Sequence, residues 1–490
     1  MSKTAIIVGA GIAGIATAIR LAAKGADVKV FDRNPFAGGK LHAFEKDGCR
    51  FDFGPSLFTM PQLVDELFRL AGKKPEDYFT YSKLDVTCRY FYEDGTRLKA
   101  YADEELFDQE ASSILGTPPG TIKKHFDHSY RIYRHTAPFF LQKPITRLRT
   151  LFDKRIFASL LNIPRFDLFS SMNRANEKRL KEPHLVQLFN RYATYNGSDP
   201  YRAPGILNVI PSLENHFGAF YPKGGMHSIT TSLVKLATDL GVQFHLNTAV
   251  EEITIEQGRA SGIKTSDKSV YTADTVVCNA DMWFAYHQLL KDLPKPALRL
   301  KQERSSSALV FYWGINAEFK ELGLHNILFS ADYKAEFNAL FKETMPVSDP
   351  TVYINITSKL TPTDAPTGCE NWFVMINMPK QHSPLPKDVI QKIRTEVIEK
   401  INRVLKTDLE ALIVSETVTT PETIETKTGS YGGSLYGTSS NNALAAFLRH
   451  PNDHSVKDLY FCGGSVHPGG GIPLCLWSAE IVAQHIVSKS

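Results

Sequence analysis

Residues Thr4 to Asp32 read TAIIVGAGIAGIATAIRLAAKGADVKVFD. Thr4 to Val8 is an uncharged, β-branched run, the pattern of a strand buried on both faces of a parallel sheet. It leads directly into Gly9-Ala10-Gly11-Ile12-Ala13-Gly14. Ile15 to Lys24 then has helical composition up to a stop at Gly25, and Asp27 to Phe31 reads as a second strand ending at Asp32. The unit is strand, G-x-G-x-x-G turn, helix, strand, acid, and each part has a physical task. Gly9 permits the tight turn, Gly11 lets the backbone approach a pyrophosphate, and Gly14 lets helix and strand pack closely. The helix start offers free N–H groups and a positive dipole end to the phosphates. Asp32 is placed to accept from both hydroxyls of a ribose. A dinucleotide site follows, although the motif alone does not choose between NAD and FAD.

The rest of the chain narrows the class. It has 490 residues, 43% apolar and 22% charged, with a net charge of +4. That composition excludes disordered and fibrous classes, leaves room for two to four domains, and is too weakly basic to argue for nucleic acid. Six scattered cysteines without a CxxC pair argue against a zinc site, a redox dithiol or a disulfide scaffold, and fit a reducing compartment. No metal site is expected. The uncharged stretch Ala5 to Ile19 is shorter than the roughly 20 residues that cross a bilayer, and its glycines belong to the nucleotide turn. The expected location is therefore cytoplasmic, with no spanning segment.

A second glycine turn, Gly38-Gly39-Lys40, comes a few residues after Asp32, followed by Gly48 and Asp52-Phe53-Gly54-Pro55-Ser56. A glycine turn ending in a cation suits the same pyrophosphate. A simple NAD domain would continue with another strand–helix unit here, and this chain does not. At the far end, Leu459 to Cys462 reads as a strand. It is followed by Gly463-Gly464-Ser465-Val466-His467-Pro468-Gly469-Gly470-Gly471-Ile472-Pro473 and a helix expected over Ser478 to Val487. Five glycines in nine residues cost too much chain entropy to be only packing. His467, held between Val466 and Pro468, reads as structural rather than as a base.

These residues resemble the FAD-dependent amine oxidase and phytoene desaturase superfamily. The last block resembles the GxxTHPGxGIP signature of carotenoid desaturases, with Gly463, Gly464, Ser465, His467, Gly471 and Ile472 in matching places. Tyr195-Asn196-Gly197, Ala203-Pro204 and Tyr221-Pro222-Lys223-Gly224-Gly225-Met226 resemble that family's central block. The resemblance implies an α/β fold with a Rossmann-like FAD domain built from residues 1–84, 205–295 and 425–490. A helical membrane-facing region would cover 85–204 and a mixed-sheet substrate domain 296–424. It also implies FAD contacts at Gly9, Ala10, Gly11, Ile12, Ala13, Gly14, Asp32, Arg33, Gly39 and Lys40, and at Gly54, Pro55, Ser56 and Leu57. Val250 would meet the adenine through its backbone, and Asn279 and Asp281 would return to the cofactor. Gly463, Gly464, Ser465, Gly471 and Ile472 would border the ribityl and isoalloxazine end.

Further expectations concern the middle of the chain. Gly224-Gly225 should open a helix from His227 to Leu240. Strands over Val242 to Leu246 and Ala249 to Ile255 should add to the FAD-binding sheet, and Thr275 to Cys278 should be a buried strand. Ala308 to Ile315, Ile327 to Ser330, Val352 to Thr357 and Trp372 to Met378 read as strands, followed by an amphipathic helix carrying Val389, Ile393, Val397, Ile401 and Val404 on one face. Glu214 reads as a satisfied structural carboxylate, with contact to a substrate end as the other reading. Residues 123–182 hold 14 Lys/Arg against 5 acids, interleaved with phenylalanines and leucines. That pattern fits a membrane surface, in preference to a solvated helical face or to nucleic acid.

The resemblance implies an oxidoreductase in carotenoid biosynthesis that introduces a C–C double bond into a hydrophobic carotenoid. No catalytic residue is assigned. With no second G-x-G-x-x-G, no NAD(P)H domain is expected to reduce the flavin, and quinone or oxygen is the expected acceptor. Leu474-Cys475-Leu476 replaces the glycine-led stretch of phytoene desaturases and looks like the 3,4-desaturases of 1-hydroxylated carotenoids. A multistep phytoene or C30 dehydrosqualene desaturase is the alternative. Saturase-type relatives, amine or porphyrinogen oxidases and non-catalytic binders of lipidated proteins share the fold.

Overall fold

The computed structural model describes residues 3–140, 166–344, 348–381, 383–442 and 444–489. Its first sheet has five parallel strands in the order Gln243–His245, Asp27–Phe31, Thr4–Val8, Thr275–Cys278, Leu459–Phe461. The apolar run at the N-terminus sits at its centre because both of its faces are covered. Ala5 and Ile7 enter a core with the helices Ile12–Ala22, His227–Asp239 and Ile472–Ser488. Ile6 and Val8 enter a second core on the opposite face, with Ile253, Ile263 and Tyr286. Burying one such isoleucine stabilises by about 1.5–3 kcal/mol.

Two expectations change here. The strand expected over Ala249 to Ile255 does not extend the parallel sheet; as Val250–Glu256 it pairs with Arg259–Thr265 in a separate three-stranded antiparallel sheet. The cause is the turn Gln257-Gly258, with φ of 49° and 76°. Two consecutive positive φ values make the tight hairpin that returns the chain beside itself. The C-terminal helix begins at Ile472 instead of Ser478, because Pro473 occupies the first turn, where its missing N–H costs nothing.

A second sheet has seven strands in the order Ile413–Thr419, Ser307–Ile315, Glu370–Met378, Val352–Ile356, His325–Leu328, Val86–Phe91, Arg97–Tyr101. It is antiparallel except between His325–Leu328 and Val86–Phe91. Its last two strands come from the stretch expected to be helical from residue 85; Val86–Phe91 is mostly buried and pairs with His325–Leu328, and Arg97–Tyr101, with alternating burial, forms the edge beside it. One face packs Phe311, Trp313, Ile354 and Val374 against Ile393, Val397 and Ile401 of the helix Lys387–Leu405. By register the other face carries Tyr90, His325, Tyr353, Asn355, Phe373 and Tyr312. Helices Thr121–Phe140, Met172–Leu180 and Pro183–Asn190 cover the Tyr90 end. Among the described residues no helix is long and apolar enough to cross a membrane. Lys143, Arg147, Arg149, Lys154, Arg155 and Arg165 of the basic segment lie outside the described residues.

Candidate functional site

The N-terminal glycines serve close approach first. Gly9, at φ 103°, donates to the Phe31 carbonyl at 2.7 Å and turns the chain out of the sheet. A Cβ on Gly14 would lie 2.2 Å from the Gly9 carbonyl oxygen, so helix and turn meet backbone to backbone. The helix Ile12–Ala22 begins at Gly11 with no side-chain cap and no acid in its first turn. Asp32 Oδ2 accepts from the Ala10 N–H at 2.8 Å, and Oδ1 from the Asn34 N–H at 2.9 Å. The second glycine turn lies directly against the first: Gly38 N–H donates to the Ala10 carbonyl at 2.7 Å. Lys40 Nζ donates to the carbonyls of Leu435 (2.6 Å) and Ser434 (3.2 Å). Burial lowers its ammonium to about 8, with Asp281 opposing the shift.

Asn279 joins the two ends of the chain. It follows the strand Thr275–Cys278, and its Nδ2 donates to the Gly9 carbonyl at 3.1 Å. A Cβ on Gly11 or Gly14 would lie 2.9 Å from that Nδ2, and one on Gly463 would lie 2.5 Å from Oδ1. Gly11 and Gly14 near one end of the sequence and Gly463 near the other are thus small around one amide. Next to it, Asp281 forms a buried ion pair with Arg304, and the Ser465 hydroxyl accepts from the Met282 N–H at 3.1 Å. Gly463 N–H donates to Ser478 Oγ at 3.2 Å, which binds the glycine loop to the C-terminal helix. That helix starts at Gly471, also with no side-chain cap and no acid in its first turn.

The arrangement suits a dinucleotide. Strand residues Ile6 to Val8, Thr275 to Cys278 and Leu459 to Phe461 are buried, whereas Gly9, Gly11, Asn279, Asp281, Gly464, Ser465 and Gly471 just beyond them are half-buried. The carboxyl ends of the parallel strands therefore open onto a cleft lined by glycine turns, where ligands of such folds sit. Two uncapped helix starts and the Lys40 ammonium offer positive potential there, and Asp32 offers acceptors at the strand edge. These are features that FAD needs.

The other expected contacts are spread around this cleft. Gly54, Pro55, Ser56 and Leu57 are half-buried, with Ser56 Oγ 2.7 Å from Tyr353 OH. Val250 is half-buried in the antiparallel sheet. Arg33 is exposed and donates to the Thr426 carbonyl at 2.6 Å. Ile472 is buried in the C-terminal helix, in the same core as Ile7.

The central glycine pair has a different task. Asp52 accepts from the N–H groups of Met226 (2.9 Å) and His227 (3.0 Å) and from Arg50 Nη2 (2.8 Å). The chain's own carboxylate thus occupies the start of the helix His227–Asp239, and a Cβ on Gly225 would strike Arg50 at 2.4 Å. Glu214 is a structural carboxylate: it is buried and accepts from Tyr195 OH (2.7 Å) and Tyr192 OH (3.1 Å). His467 is buried, its backbone bonded to His450 and Asn452. Sequence reading missed Arg304, Tyr353 and the capping task of Asp52. Only Asp52 carried a signal, as the acid that opens Asp52-Phe53-Gly54-Pro55-Ser56.

Comparison with known proteins places this geometry. The model of the flavin-containing amine oxidoreductase family matches residues 12–487. A 1-hydroxycarotenoid 3,4-desaturase of Flavobacterium sp. (strain P99-3) is 50% identical over 485 residues, covering 99% of each chain. A 4,4'-diapolycopene oxygenase of Methylomonas sp. is 34% identical, covering 99% of this chain and 98% of that one. The solved structure of putrescine oxidase bound to putrescine shares the fold at a TM-score of 0.64 and 14% identity, over 100% of this chain and 99% of that one. The chain belongs to the flavin-containing amine oxidoreductase family, in its carotenoid desaturase branch, and is an FAD-dependent oxidoreductase.

Proposed function

We propose that the protein removes two hydrogens across the C3–C4 bond of a 1-hydroxylated carotenoid. The observation that carries this reading is the 50% identity to a 1-hydroxycarotenoid 3,4-desaturase, spread over 99% of both chains. FAD, when bound, supplies a hydride acceptor, and the accompanying proton leaves the neighbouring carbon. The residues proposed to hold it are Gly9 to Gly14 and Lys40 at the pyrophosphate, Asp32 at the ribose and Val250 at the adenine. Asn279, Asp281, Gly463 to Ser465, Gly471 and Ile472 would lie along the ribityl and flavin end, and Gly54 to Leu57 would add further cofactor contacts. A polyene has no ionisable group, so an apolar passage that excludes water serves it better than an array of acids and bases. No side chain is assigned as base.

The finer parts of the reading are the domain division 1–84, 205–295 and 425–490 for FAD, 296–424 with the strands Val86–Phe91 and Arg97–Tyr101 for substrate, and the rest of 85–204 for the membrane. The carotenoid would come from a membrane surface met by the basic segment 123–182, and electrons would leave to quinone or oxygen. The test is the product spectrum after incubation with FAD and liposomes carrying either phytoene or a 1-hydroxylated carotenoid. A red shift with the hydroxylated substrate alone is expected. Coloured product from phytoene would make the protein a multistep desaturase, and a product gaining oxygen by mass would favour the oxygenase chemistry named for the 34% relative. Neutralising Arg147, Arg149, Lys154 and Arg155 is expected to weaken co-sedimentation with anionic liposomes.

A further inference from the structure

The hairpin of His42–Lys46 and Cys49–Gly54 rests its tip on the second sheet, and two cysteines meet there. A Cβ on Gly48 would lie 3.4 Å from Pro366 Cγ, and Asn371 Nδ2 donates to the Arg50 carbonyl at 2.6 Å. Cys49 stands between Gly48 and Arg50, and Cys369 stands between Pro366 and Asn371, so these two contacts bring the cysteines together. Their side chains converge on one strand. A Cβ on Gly314 would lie 3.3 Å from Cys49 Sγ, and Cys369 Sγ donates to Asn316 Oδ1 at 3.6 Å. Gly314 and Asn316 are alternate positions of an extended chain and so share a face. Both cysteines belong to one apolar cluster, with Tyr312 and Phe373. Both are free thiols; Cys49 is 2% exposed and Cys369 is half-buried. Burial, with Cys369 nearby, raises the Cys49 thiol above its ordinary value. Cys278 and Cys462 are also backbone neighbours, but their side chains enter opposite cores.

We infer that Cys49 and Cys369 form a dithiol that hydrogen peroxide converts into a disulfide, clamping the hairpin that carries Asp52 onto the second sheet. Peroxide first oxidises the more exposed thiol, Cys369, to a sulfenic acid, releasing one water. Cys49 Sγ then attacks that sulfur; the S–S bond forms, the S–O bond breaks and a second water leaves. The two thiols give up two electrons and two protons, and the peroxide takes up both. The exposures suit these roles, with the accessible thiol meeting the oxidant and the buried one resolving it. Joining positions so far apart in sequence closes a long loop in the unfolded chain, which favours the folded state. No CxxC spacing marks this pair, because the fold makes it across the chain.

The experiment treats the FAD-loaded enzyme with hydrogen peroxide, caps the remaining thiols with iodoacetamide and maps peptides without reduction. Peptides joined through Cys49 and Cys369 are expected, separating again with dithiothreitol, and the oxidised protein should have a Tm a few degrees above the reduced one. Cys49→Ala should abolish the link and let Cys369 proceed to the sulfinic acid, because no resolving thiol remains. Cys369→Ser should leave Cys49 open to capping, and the flavin absorbance of each variant shows that it has folded. If wild-type Cys49 is still capped after Cys369 has been oxidised, or if the link joins another pair of cysteines, the dithiol is overturned. A link that leaves Tm in place would overturn the clamp.

Discussion

Asn279 makes the side-chain amide contact between the chain's two glycine-rich turns, and the glycines nearest it are spaced to leave that amide room. A methyl group at Gly14 would meet a backbone oxygen at 2.2 Å, which no rotamer change relieves. Gly14→Ala is expected to yield protein without bound flavin, seen as loss of the visible absorbance of the purified protein. Gly11→Val is expected to do the same; full flavin occupancy in that variant would remove the phosphate-turn assignment. Another single-residue effect lies far from this cleft. His125 is buried against Phe189, neither ring nitrogen has a hydrogen-bond partner among the described residues, and burial lowers it to about 3, helped by Arg179 and His128. Its folded value lies below the unfolded one, so the unfolded chain takes up a proton that the folded chain refuses. Its contribution is complete above about pH 6.5 and is eroded as pH falls toward 3, by about 1.4 kcal/mol per unit. Urea denaturation of His125→Leu between about pH 7 and pH 5 should show a flatter loss of stability than wild type.

At the scale of elements, the helices Ile12–Ala22 and His227–Asp239 both follow glycine turns and differ in what meets their N–H groups. The helix Ile12–Ala22 is uncapped, while His227–Asp239 is closed by Asp52, which also neutralises Arg50. The first is free to take an anion from outside the chain and the second is not. Asp52→Ala removes two backbone bonds and, among the described residues, leaves Arg50 paired with Asp364 at the longer 3.4 Å. A loss of about 3–5 kcal/mol, the cost of breaking a buried ion pair, is expected from chemical denaturation. Asp52→Asn should lose less, because the amide oxygen still accepts.

Over the whole molecule, the five-stranded sheet draws its strands from residues 4–31, 243–278 and 459–461, so its edge and centre are completed by the two ends of the chain. Ending the chain at residue 458 would remove the strand beside Thr275–Cys278 together with the helix that packs on Ile12–Ala22. Such a chain is expected to retain no flavin and to aggregate, as judged by absorbance and size-exclusion chromatography. Loss of flavin without aggregation would mean that the remaining four strands fold independently.

How much of this was legible beforehand depends on the range of the interaction. The opening βαβ unit, the strands of the second sheet's core and the helix Lys387–Leu405 follow from local periodicity, because alternation and 3.6-residue spacing are properties of neighbours in sequence. The glycine clusters at both ends announced a nucleotide cleft for the same reason: a tight turn or a phosphate cradle needs consecutive backbone groups. Tertiary structure alone decided that Val86–Phe91 joins the mixed sheet and that the helix start after Gly224-Gly225 meets Asp52. It alone set Ser56 against Tyr353 and His325. Those outcomes depend on pairings across hundreds of residues, where register and burial, rather than local preference, select the partner.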